Sequence, residues 1–390
     1  MKEAPQNQMK RIAIVMYPWT GYLHGVQVGI SEYFVRRPDW LWVSSLPRAD
    51  DFARLAAQKP SGVIAFVEEE YLEDIRRLKV PVVDVSNWIT DSCFPQVLCD
   101  DEAVGRLAAN YLMELGIRHF AATGVRQAHF SDLRIKGYVD TLESKGFAVA
   151  FPALTEARRG GAKTERESTP AALNRRLRDL PKPCAIFAAN DANAMALLHS
   201  CREAGLRVPE DVCVLGVDND ELLTRVSHPP LSSIMVPSEK IGFEAARVLD
   251  QMMNGRPAPT EPVLLAPIGV ETRQSTNLLA VTDEDVNSAI RFIRENLHAR
   301  INVEDILEVV PVNRRYLERK FKTFLGRSPL QEIRRVRIEK GKELLTTTDC
   351  SVSEVARRSG FPSPERFASV FHLIVGTTPG KYRKAYRLND

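Results

Sequence analysis

For about the first 270 residues the sequence alternates short β-branched runs with helix-period stretches, and this alternation limits the fold more than any other feature. Parallel sheets covered by helices produce such a pattern, because the chain crosses back through a helix between one strand and the next. A segment of this length suits two α/β lobes better than one. The candidate strands are Arg11 to Met16, Gly62 to Phe66, Val80 to Val85, His119 to Ala122, Ala185 to Ala188, Val212 to Val217 and Ser232 to Val236. The candidate helices are Glu102 to Leu115, Asp132 to Lys145, Asp191 to Ala204 and Ser238 to Met253.

The alternation stops near Asn277 to Asp283, and a purely helical pattern follows. We therefore predict four segments: a disordered N-terminus (1–10), a two-lobed α/β domain (11–276), a linker (277–284) and an all-α domain (285–390). Within the α/β domain, Ala157 to Thr169 is predicted to be an exposed loop, and the proline-rich stretch Pro257 to Pro267 is predicted to lead back across the lobes.

The all-α domain contains the same helix-turn-helix pattern twice. In the first copy Pro311 ends a short helix and Asn313 is a natural N-cap for the next. In the second copy, about fifty residues later, Gly360-Phe361-Pro362 forms the turn and Ser363 the cap. The apolar stripes are Val303, Ile306, Leu307 and Val310 with Leu317, Phe321 and Phe324, and then Val352, Val355 and Ala356 with Phe367, Val370, Phe371 and Ile374. One such pattern fits an ordinary helical hairpin, but two copies joined by a charged helix, Leu330 to Leu345, predict a DNA-binding module.

The charge distribution supports this prediction. From Pro311 to Asp390 the chain has 18 Lys+Arg against 8 Asp+Glu, although its overall charge is only +3. A basic excess confined to one module is typical of a surface that faces DNA phosphates, and a solvated basic surface is the alternative.

The second copy resembles the signature of AraC-type transcription regulators in the residues Gly360-Phe361-x-Ser363-x-x-x-Phe367-x-x-x-Phe371 and Gly376-Thr377-Thr378-Pro379-x-x-Tyr382-Arg383. The resemblance covers about Thr282 to Arg387 and implies sequence-specific binding of a double-stranded DNA operator. It implies the base-reading residues Arg315, Arg319, Glu365, Arg366 and Ser369. It implies the phosphate-contacting residues Arg314, Lys320, Ser363 and Lys381.

Three positions depart from that family. Pro311 and Asn313 stand where Gly and Ser are usual, so the first turn cannot use a left-handed backbone at Pro311. Gly341 replaces a common Ala, which either weakens the connecting helix or permits closer packing.

The α/β domain resembles the sensor domains of LacI-type regulators in Val97-Leu98-Cys99-Asp100-Asp101-Glu102-Ala103-Val104-Gly105, in Ala189-Asn190-Asp191, and in Val208-Pro209 to Asp218-Asn219. The resemblance covers about Arg11 to Arg273 and implies a periplasmic-binding-protein-like fold with a small sugar bound between two lobes. The combination of this sensor with an AraC-type tail resembles the family of xylose-operon regulators, which implies a pentose such as xylose or a related monosaccharide as effector.

The residues themselves place ligand candidates at the ends of strands. In open α/β sheets, ligands bind beyond the carboxyl ends of the strands, where Asn190, Asp191 and Asp218 stand. Asp218 is predicted to bind the effector rather than only to cap a turn, whereas Asp191 serves either as a ligand or as a helix cap. Arg134 matches the cleft arginine of LacI-type sensors, with a surface helix charge as the alternative.

Aromatic side chains follow the first strand. Tyr22, Trp19 and His24 are candidates for contact with the sugar ring, and core packing is the alternative for the aromatic residues. His24 stands where xylose-operon regulators tend to have Arg, so the effector could differ from xylose.

An enzyme is disfavoured, since the chain lacks the glycine-rich, nucleophile-elbow and zinc-binding motifs of the enzymes that use α/β lobes. The six cysteines lack metal-ligand spacing and are interpreted as reduced packing residues. No metal or organic cofactor is implied. A transport-linked sugar-binding protein is also disfavoured, because the polar segment Met1 to Lys10 lacks a signal-peptide core and no apolar run suits a membrane span. For the same reasons we expect a cytoplasmic protein. The family resemblance implies in addition a homodimer that acts as an activator and contacts RNA polymerase.

Overall fold

The computed structural model describes residues 9–17, 21–150, 170–277, 283–297, 299 and 301–386. The predicted loop Ala157 to Thr169 and most of the predicted linker lie outside these ranges. The strands are β1 (Lys10–Val15), β2 (Trp40–Ser45), β3 (Gly62–Ala65), β4 (Val82–Asp84), β5 (Val97–Cys99), β6 (His119–Thr123), β7 (Val149–Ala150), β8 (Cys184–Ala188), β9 (Val212–Val217), β10 (Ser232–Met235), β11 (Val263–Leu265) and β12 (Gly269–Glu271). The helices are α1 (Gly21–Val35), α2 (Ala49–Ala57), α3 (Leu72–Arg77), α4 (Asp101–Glu114), α5 (His129–Glu143), α6 (Pro170–Asp179), α7 (Asp191–Glu203), α8 (Glu221–Val226), α9 (Ser238–Met253), α10 (Glu284–Glu295), α11 (Val303–Val309), α12 (Arg314–Leu325), α13 (Pro329–Thr347), α14 (Val352–Arg358), α15 (Pro364–Val375) and α16 (Pro379–Tyr386).

The α/β domain has the two predicted lobes. The first lobe is built on a parallel sheet of order β2-β1-β3-β4. The second lobe is built on a sheet of order β12-β10-β9-β8-β6-β7, in which only the pairing of β10 with β12 is antiparallel. The runs that form β3, β8 and β9 are buried along their whole length, which is the pattern of strands covered on both faces.

The chain crosses between the lobes three times. It leaves the first lobe after β5, returns to it through α9, which packs on α1, and leaves it again after β11. The proline-rich stretch predicted to lead back across the lobes contains β11, which pairs with β5. The two lobes are therefore connected by three short segments. The cleft between the lobes is bounded by strand ends from both sheets.

The C-terminal domain is a set of helices arranged around α13. The first helix-turn-helix pair, α11 and α12, packs with α10 and the start of α13 in one apolar core that includes Leu317 and Phe321. The second pair, α14 and α15, packs with α16 and the rest of α13 in another core that includes Phe367 and Phe371. Both predicted N-caps are present, since the side chains of Asn313 and Ser363 accept backbone N–H groups of the following turn.

One residue of the predicted stripes is misplaced. Ile374 was expected to be buried in the second pair but is 45 % exposed. The Tyr382 ring of α16 packs against Phe371 at this end of the core, with ring centroids 5.3 Å apart, so the core is closed one turn before Ile374.

None of the helices in the described ranges has the length and apolarity that crossing a membrane would need.

Gly341 lies in the middle of α13, where that helix meets α15. A Cβ atom at this position would lie 2.6 Å from Cε2 and 3.0 Å from Cζ of the fully buried Phe367 ring. Of the two readings of Gly341, the structure therefore supports closer packing.

We predict that Gly341→Ala lowers the free energy of unfolding of the C-terminal domain by up to about 2 kcal/mol. Overpacking a filled core costs about 1–3 kcal/mol, whereas the gain in helix propensity is about 1 kcal/mol. Gly380→Ala is the matched control, because a Cβ there meets no atom within 4 Å. Urea denaturation of both variants checks the prediction, and equal stabilisation by the two substitutions would contradict it.

Candidate functional site

A cavity of about 860 Å³ lies between the two lobes. Its wall contains residues one to four positions beyond the ends of β3, β4, β8 and β9, together with residues from the first turns of α1, α4 and α5. Cavities of roughly 300–1,000 Å³ accommodate ligands of metabolite size. The cleft therefore lies where strand ends of both sheets meet, as the position of Asn190 and Asp218 in the sequence suggested.

Arg134 is the central charged residue of this cavity. It projects from α5, is only 4% exposed, and donates from Nε to Oδ1 of Asp101 at 2.8 Å. Its Nη1 donates to the Ala189 carbonyl at 2.7 Å and lies 3.4 Å from Oδ1 of Asp218. Although burial opposes its charge, Asp101 and Asp218 raise the pKa of Arg134. Arg134 is therefore a cleft residue, not a surface helix charge.

Asp218 follows β9 and has a backbone φ of +103°, a conformation that non-glycine residues rarely adopt. Burial raises the pKa of its carboxyl group to about 6, and the neighbouring Arg134 limits the rise. A strained residue in a cleft, with a carboxylate that titrates near neutrality, is typical of a binding site.

Asp191 supports the loop that carries Asp218 and is not part of the cavity wall. Its Oδ1 accepts the hydroxyl hydrogen of Ser233 at 2.6 Å, and its Oδ2 accepts the backbone N–H of Asp220 at 2.8 Å. Both carboxylate oxygens are thus engaged inside the protein, and the side chain is 1% exposed. The structure places this residue in a positioning role, which neither of the two alternatives from the sequence described.

Of the remaining residues that the sequence suggested for effector binding, two line the cavity and one does not. Asn190 and Tyr22 line the cavity: Oδ1 of Asn190 caps α7, and the Tyr22 hydroxyl donates to the Val85 carbonyl at 2.7 Å. His24 lies on α1 but is exposed and is not in the cavity wall. Trp19 lies outside the described residues.

Sequence reasoning missed an aromatic wall. Trp88 lies between Phe66 and Phe130, with ring centroids 5.6 Å and 5.7 Å away, and all three rings line the cavity. Trp88 follows the predicted strand Val80 to Val85, so the rule that singled out Asp218 would have found it. Phe66 directly follows β3 in the structure, but the sequence analysis assigned it to the end of the predicted strand Gly62 to Phe66. Aromatic faces of this kind suit the apolar face of a sugar ring.

Asn87 and Asp101 were also missed. Nδ2 of Asn87 in the first lobe donates to Oδ2 of Asp101 at 2.6 Å, and Asp101 is the first residue of α4. Burial raises the pKa of Asp101, while Arg134 acts in the opposite direction. The lobes are further joined by the backbone N–H of Gly21, which donates to Oδ2 of Asp220 at 2.8 Å. Residues of both lobes are therefore joined by hydrogen bonds at two places along the cleft.

The second functional surface consists of α12 and α15. On α12, Arg315 and Arg319 are exposed, and Arg319 lies over the Tyr316 ring at 5.3 Å from the centroid. Arg314 is exposed but ion-paired with Glu304 at 2.5 Å and with Glu318 at 3.0 Å. These arginines are accessible to DNA, although Arg314 would have to exchange carboxylates for phosphates.

On α15, Glu365, Arg366 and Ser369 are exposed along one face. The Ser369 hydroxyl donates to the Glu365 carbonyl at 2.9 Å, and Ser363 caps the helix. Lys381 is exposed in the first turn of α16. These five candidate residues thus lie at the N-terminal parts of α15 and α16. In a helix-turn-helix, the N-terminal residues of the second helix are the ones that contact base edges.

Lys320 is the exception among the DNA candidates. Its ammonium group is held by Asp283 at 2.5 Å and by Asp285 at 2.7 Å, and it lies over the Tyr316 ring. The side chain is only 16% exposed. The prediction of a phosphate contact is not supported by this position, because Lys320 is already used to attach α12 to the start of α10.

Comparisons with known proteins agree with this architecture. A model of the periplasmic binding protein-like domain matches residues 109–276, and a model of the helix-turn-helix domain matches residues 306–385. The chain is 30% identical to the xylose operon regulatory protein of Escherichia coli K12 over 96% of both chains. It is also 30% identical to the xylose operon regulatory protein of Haemophilus influenzae over 83% of this chain and 84% of the relative. The chain belongs to the family of xylose operon regulatory proteins.

A solved structure described as that of a xylose-binding transcription activator matches 97% of this chain and 98% of its own, with a TM-score of 0.60 and 26% identity. These similarities show that this chain is a sugar-sensing, DNA-binding transcription regulator and not an enzyme, as the sequence predicted.

We predict that Asp218→Asn becomes more stable relative to the wild type as the pH rises. The raised pKa means that the native state holds the proton more tightly than the unfolded chain. The protonated carboxyl therefore contributes stability that is complete below the ordinary Asp pKa of about 4 and is lost as the pH rises through about 6. The difference between the variant and the wild type should change by about 1–2 kcal/mol between pH 5 and pH 7.5, measured by chemical denaturation without a sugar. A pH-independent difference would contradict this account of the carboxyl group.

Proposed function

We propose that the cleft binds a monosaccharide, most favourably a pentose such as xylose, and that occupancy changes how the C-terminal domain binds operator DNA. The observation that carries the proposal is the convergence of Arg134, Asp218 and Trp88 on one cavity between the lobes. The names of the relatives, which regulate the xylose operon, support the choice of sugar.

The cleft provides what a sugar requires. Asp218 accepts hydrogen bonds from hydroxyl groups, and Arg134 donates to a hydroxyl or ring oxygen. Asn87 and Asn190 can do both, since an amide carries a donor and an acceptor. Trp88 covers the apolar face of the ring. Asp191 holds the loop of Asp218 in place, and its removal would weaken binding indirectly.

Helix α4 is the route by which occupancy reaches the DNA-binding domain. Its first residue, Asp101, is bonded to Arg134 and Asn87 in the cleft. At its other end, the Glu114 carbonyl accepts from Nη2 of Arg327 at 3.0 Å, and the Glu114 carboxylate lies 3.4 Å from Nη1 of Arg335. A rigid helix that contacts the ligand network at one end and α13 at the other transmits a rotation of the lobes to both helix-turn-helix units.

The helix-turn-helix units would bind DNA through the N-terminal halves of α12 and α15. The 19 residues of α13 span about 28 Å, which suits two recognition helices in successive major-groove segments about 34 Å apart. Arg315, Arg319 and Arg366 would read bases, while Ser363 and Lys381 would contact phosphates.

We further propose a cytoplasmic homodimer that activates transcription through RNA polymerase, with the sensor at 11–276 and the DNA-binding domain at 285–390. The support for activation is the description of the similar solved structure as a transcription activator. The support for the boundary is that β12 ends at Glu271 and α10 begins at Glu284.

We predict that xylose raises the melting temperature of the purified protein and that Asp218→Ala removes the shift. A ligand that binds only the folded state at 100 times its Kd adds about 2.7 kcal/mol of stability. His24→Ala is the matched control and should retain the shift, since His24 lies outside the cavity wall. A panel of pentoses, hexoses and uronic acids identifies the preferred sugar. No shift with any of them would contradict the proposal.

We predict that Arg366→Ala weakens specific DNA binding by about 1–3 kcal/mol and relaxes selectivity at one or two base pairs. Lys320→Met should leave the dependence of DNA affinity on salt concentration unchanged, because Lys320 faces carboxylates of its own domain. Fluorescence anisotropy with a duplex selected from a random pool checks both variants. A smaller salt slope for Lys320→Met would show instead that this lysine contacts a phosphate.

A further inference from the structure

A second cavity, of about 410 Å³, lies between the sensor domain and the DNA-binding domain. Arg273 and Tyr111 line it from the sensor side, and Arg294 and Arg335 line it from α10 and α13. None of these residues borders the sugar cleft. The cavity is therefore a separate space whose walls come from both domains.

The charged groups that α13 contributes to this cavity are already neutralised. Arg335 is paired with the buried Glu332 at 2.8 Å, and Glu332 is also paired with Arg327. Burial alone would raise the pKa of Glu332, but these two guanidinium groups together outweigh it and lower the pKa to about 2. Glu339, the acidic residue of the wall, is paired with Lys342 at 2.9 Å. Neither Arg335 nor Glu339 leaves an unbalanced charge for a ligand.

Arg273 and Arg294 are different, because neither forms an ion pair with any residue that the structure describes. Nη1 of Arg273 donates to Oδ1 of Asn219 at 2.9 Å and to the Leu231 carbonyl at 3.0 Å, which are uncharged acceptors. Arg294 donates to Oδ1 of Asn277, which is also uncharged. Burial lowers the pKa of Arg294, and the like charge of Arg335 acts in the same direction. Of the described carboxylates, none is thus ion-paired with either of these two guanidinium groups, although Glu271 acts on Arg273 and Glu332 acts on Arg294 from a greater distance.

The rest of the wall favours an organic anion over a bare ion. Val336, Leu297 and Pro230 contribute apolar surface, and the Tyr111 hydroxyl is held by Thr272 and Thr276 at 2.9 Å and 2.7 Å. Two guanidinium groups match the charge of a phosphomonoester, which is about −1.5 to −2 at neutral pH. A monocarboxylate would leave one of the two arginines unbalanced.

We propose that this interdomain cavity binds a small phosphorylated metabolite, with its phosphate between Arg273 and Arg294 and its carbon skeleton against Val336 and Leu297. The ligand would connect the two domains and stabilise their docked arrangement. The site would make the protein responsive to a second metabolite besides the sugar.

A hydrogen bond links the wall of this cavity to the loop that lines the sugar cleft. Arg273 hydrogen-bonds Asn219, and Asn219 directly follows Asp218. A phosphate that binds Arg273 therefore acts on the loop that carries a proposed sugar ligand. By linkage, the phosphorylated ligand and the sugar must change each other's affinity by the same factor. This part of the inference rests on the proposed function of the cleft, whereas binding of the anion itself does not.

The test is isothermal titration of the full-length, DNA-free protein with glycerol 3-phosphate, inorganic phosphate and glycerol. We expect the two phosphates to bind and glycerol not to bind. Arg294→Gln should raise the Kd of glycerol 3-phosphate at least about tenfold, as expected for the loss of one charge-assisted contact. Arg291→Gln is the matched control, since Arg291 is exposed on the same helix and absent from the cavity wall, and it should change the Kd less than about twofold.

Two further measurements make the result decisive. Arg273→Gln should reproduce the loss seen with Arg294→Gln, so a folding defect in one variant does not leave the question open. Arg366→Gln should retain phosphate binding, because its side chain belongs to the DNA-binding surface. Unchanged affinity in the Arg273 and Arg294 variants, or a loss only in Arg366→Gln, would overturn the proposal. The sugar-induced melting shift of Arg294→Gln, measured on the same sample, separates failure of this site from failure of the cleft.

Discussion

The buried charge of Arg134 is the constraint on which the sensor depends. A guanidinium group that is 4% exposed needs carboxylate and carbonyl partners, because an isolated buried charge is strongly unfavourable. Its partners come from separate elements: Asp101 begins α4, Asp218 follows β9, and Ala189 follows β8. The backbones of α4 and α5 are in close contact at Gly137, where any Cβ would clash with the Glu102 carbonyl, and this contact holds Arg134 in reach of Asp101. The hydrogen bonds that neutralise Arg134 therefore hold α4 and the segments after β8 and β9 in fixed positions around the cleft.

The same helix carries the consequence to the DNA-binding domain. Because α4 ends at α13, and α13 belongs to both apolar cores of the C-terminal domain, a displacement at Glu114 acts on both recognition helices together. A second contact, in which the Tyr382 hydroxyl donates to the Ile268 carbonyl at 2.5 Å, joins α16 to the segment between β11 and β12. The domains are thus connected at both ends of the helical unit.

The sequence alone was sufficient for the α/β lobes, the two helix-turn-helix units and the strand-end residues Asn190 and Asp218, because periodicity, caps and strand ends are local signals. Short or partly exposed strands such as β2 and β7 carry weaker periodicity and were missed. The role of Asp191 depends on Ser233 and Asp220, which are distant in sequence, and the role of Lys320 depends on Asp283 and Asp285. Pairing across such distances leaves no pattern in one sequence. The wall residue Trp88, by contrast, follows a predicted strand and was within reach of the same reasoning as Asp218.

The most direct test of the account is the affinity of the full-length protein for a selected DNA duplex, with and without a saturating sugar. The account predicts that the sugar changes the Kd for DNA by about fivefold or more, the usual lower range of allosteric coupling. Arg327→Gln, which removes the hydrogen bond to the Glu114 carbonyl, should keep sugar binding and reduce this change. If the sugar binds but the Kd for DNA does not change in the wild type, or if Arg327→Gln shows undiminished coupling, the proposed route from the cleft through α4 to the DNA-binding domain is wrong.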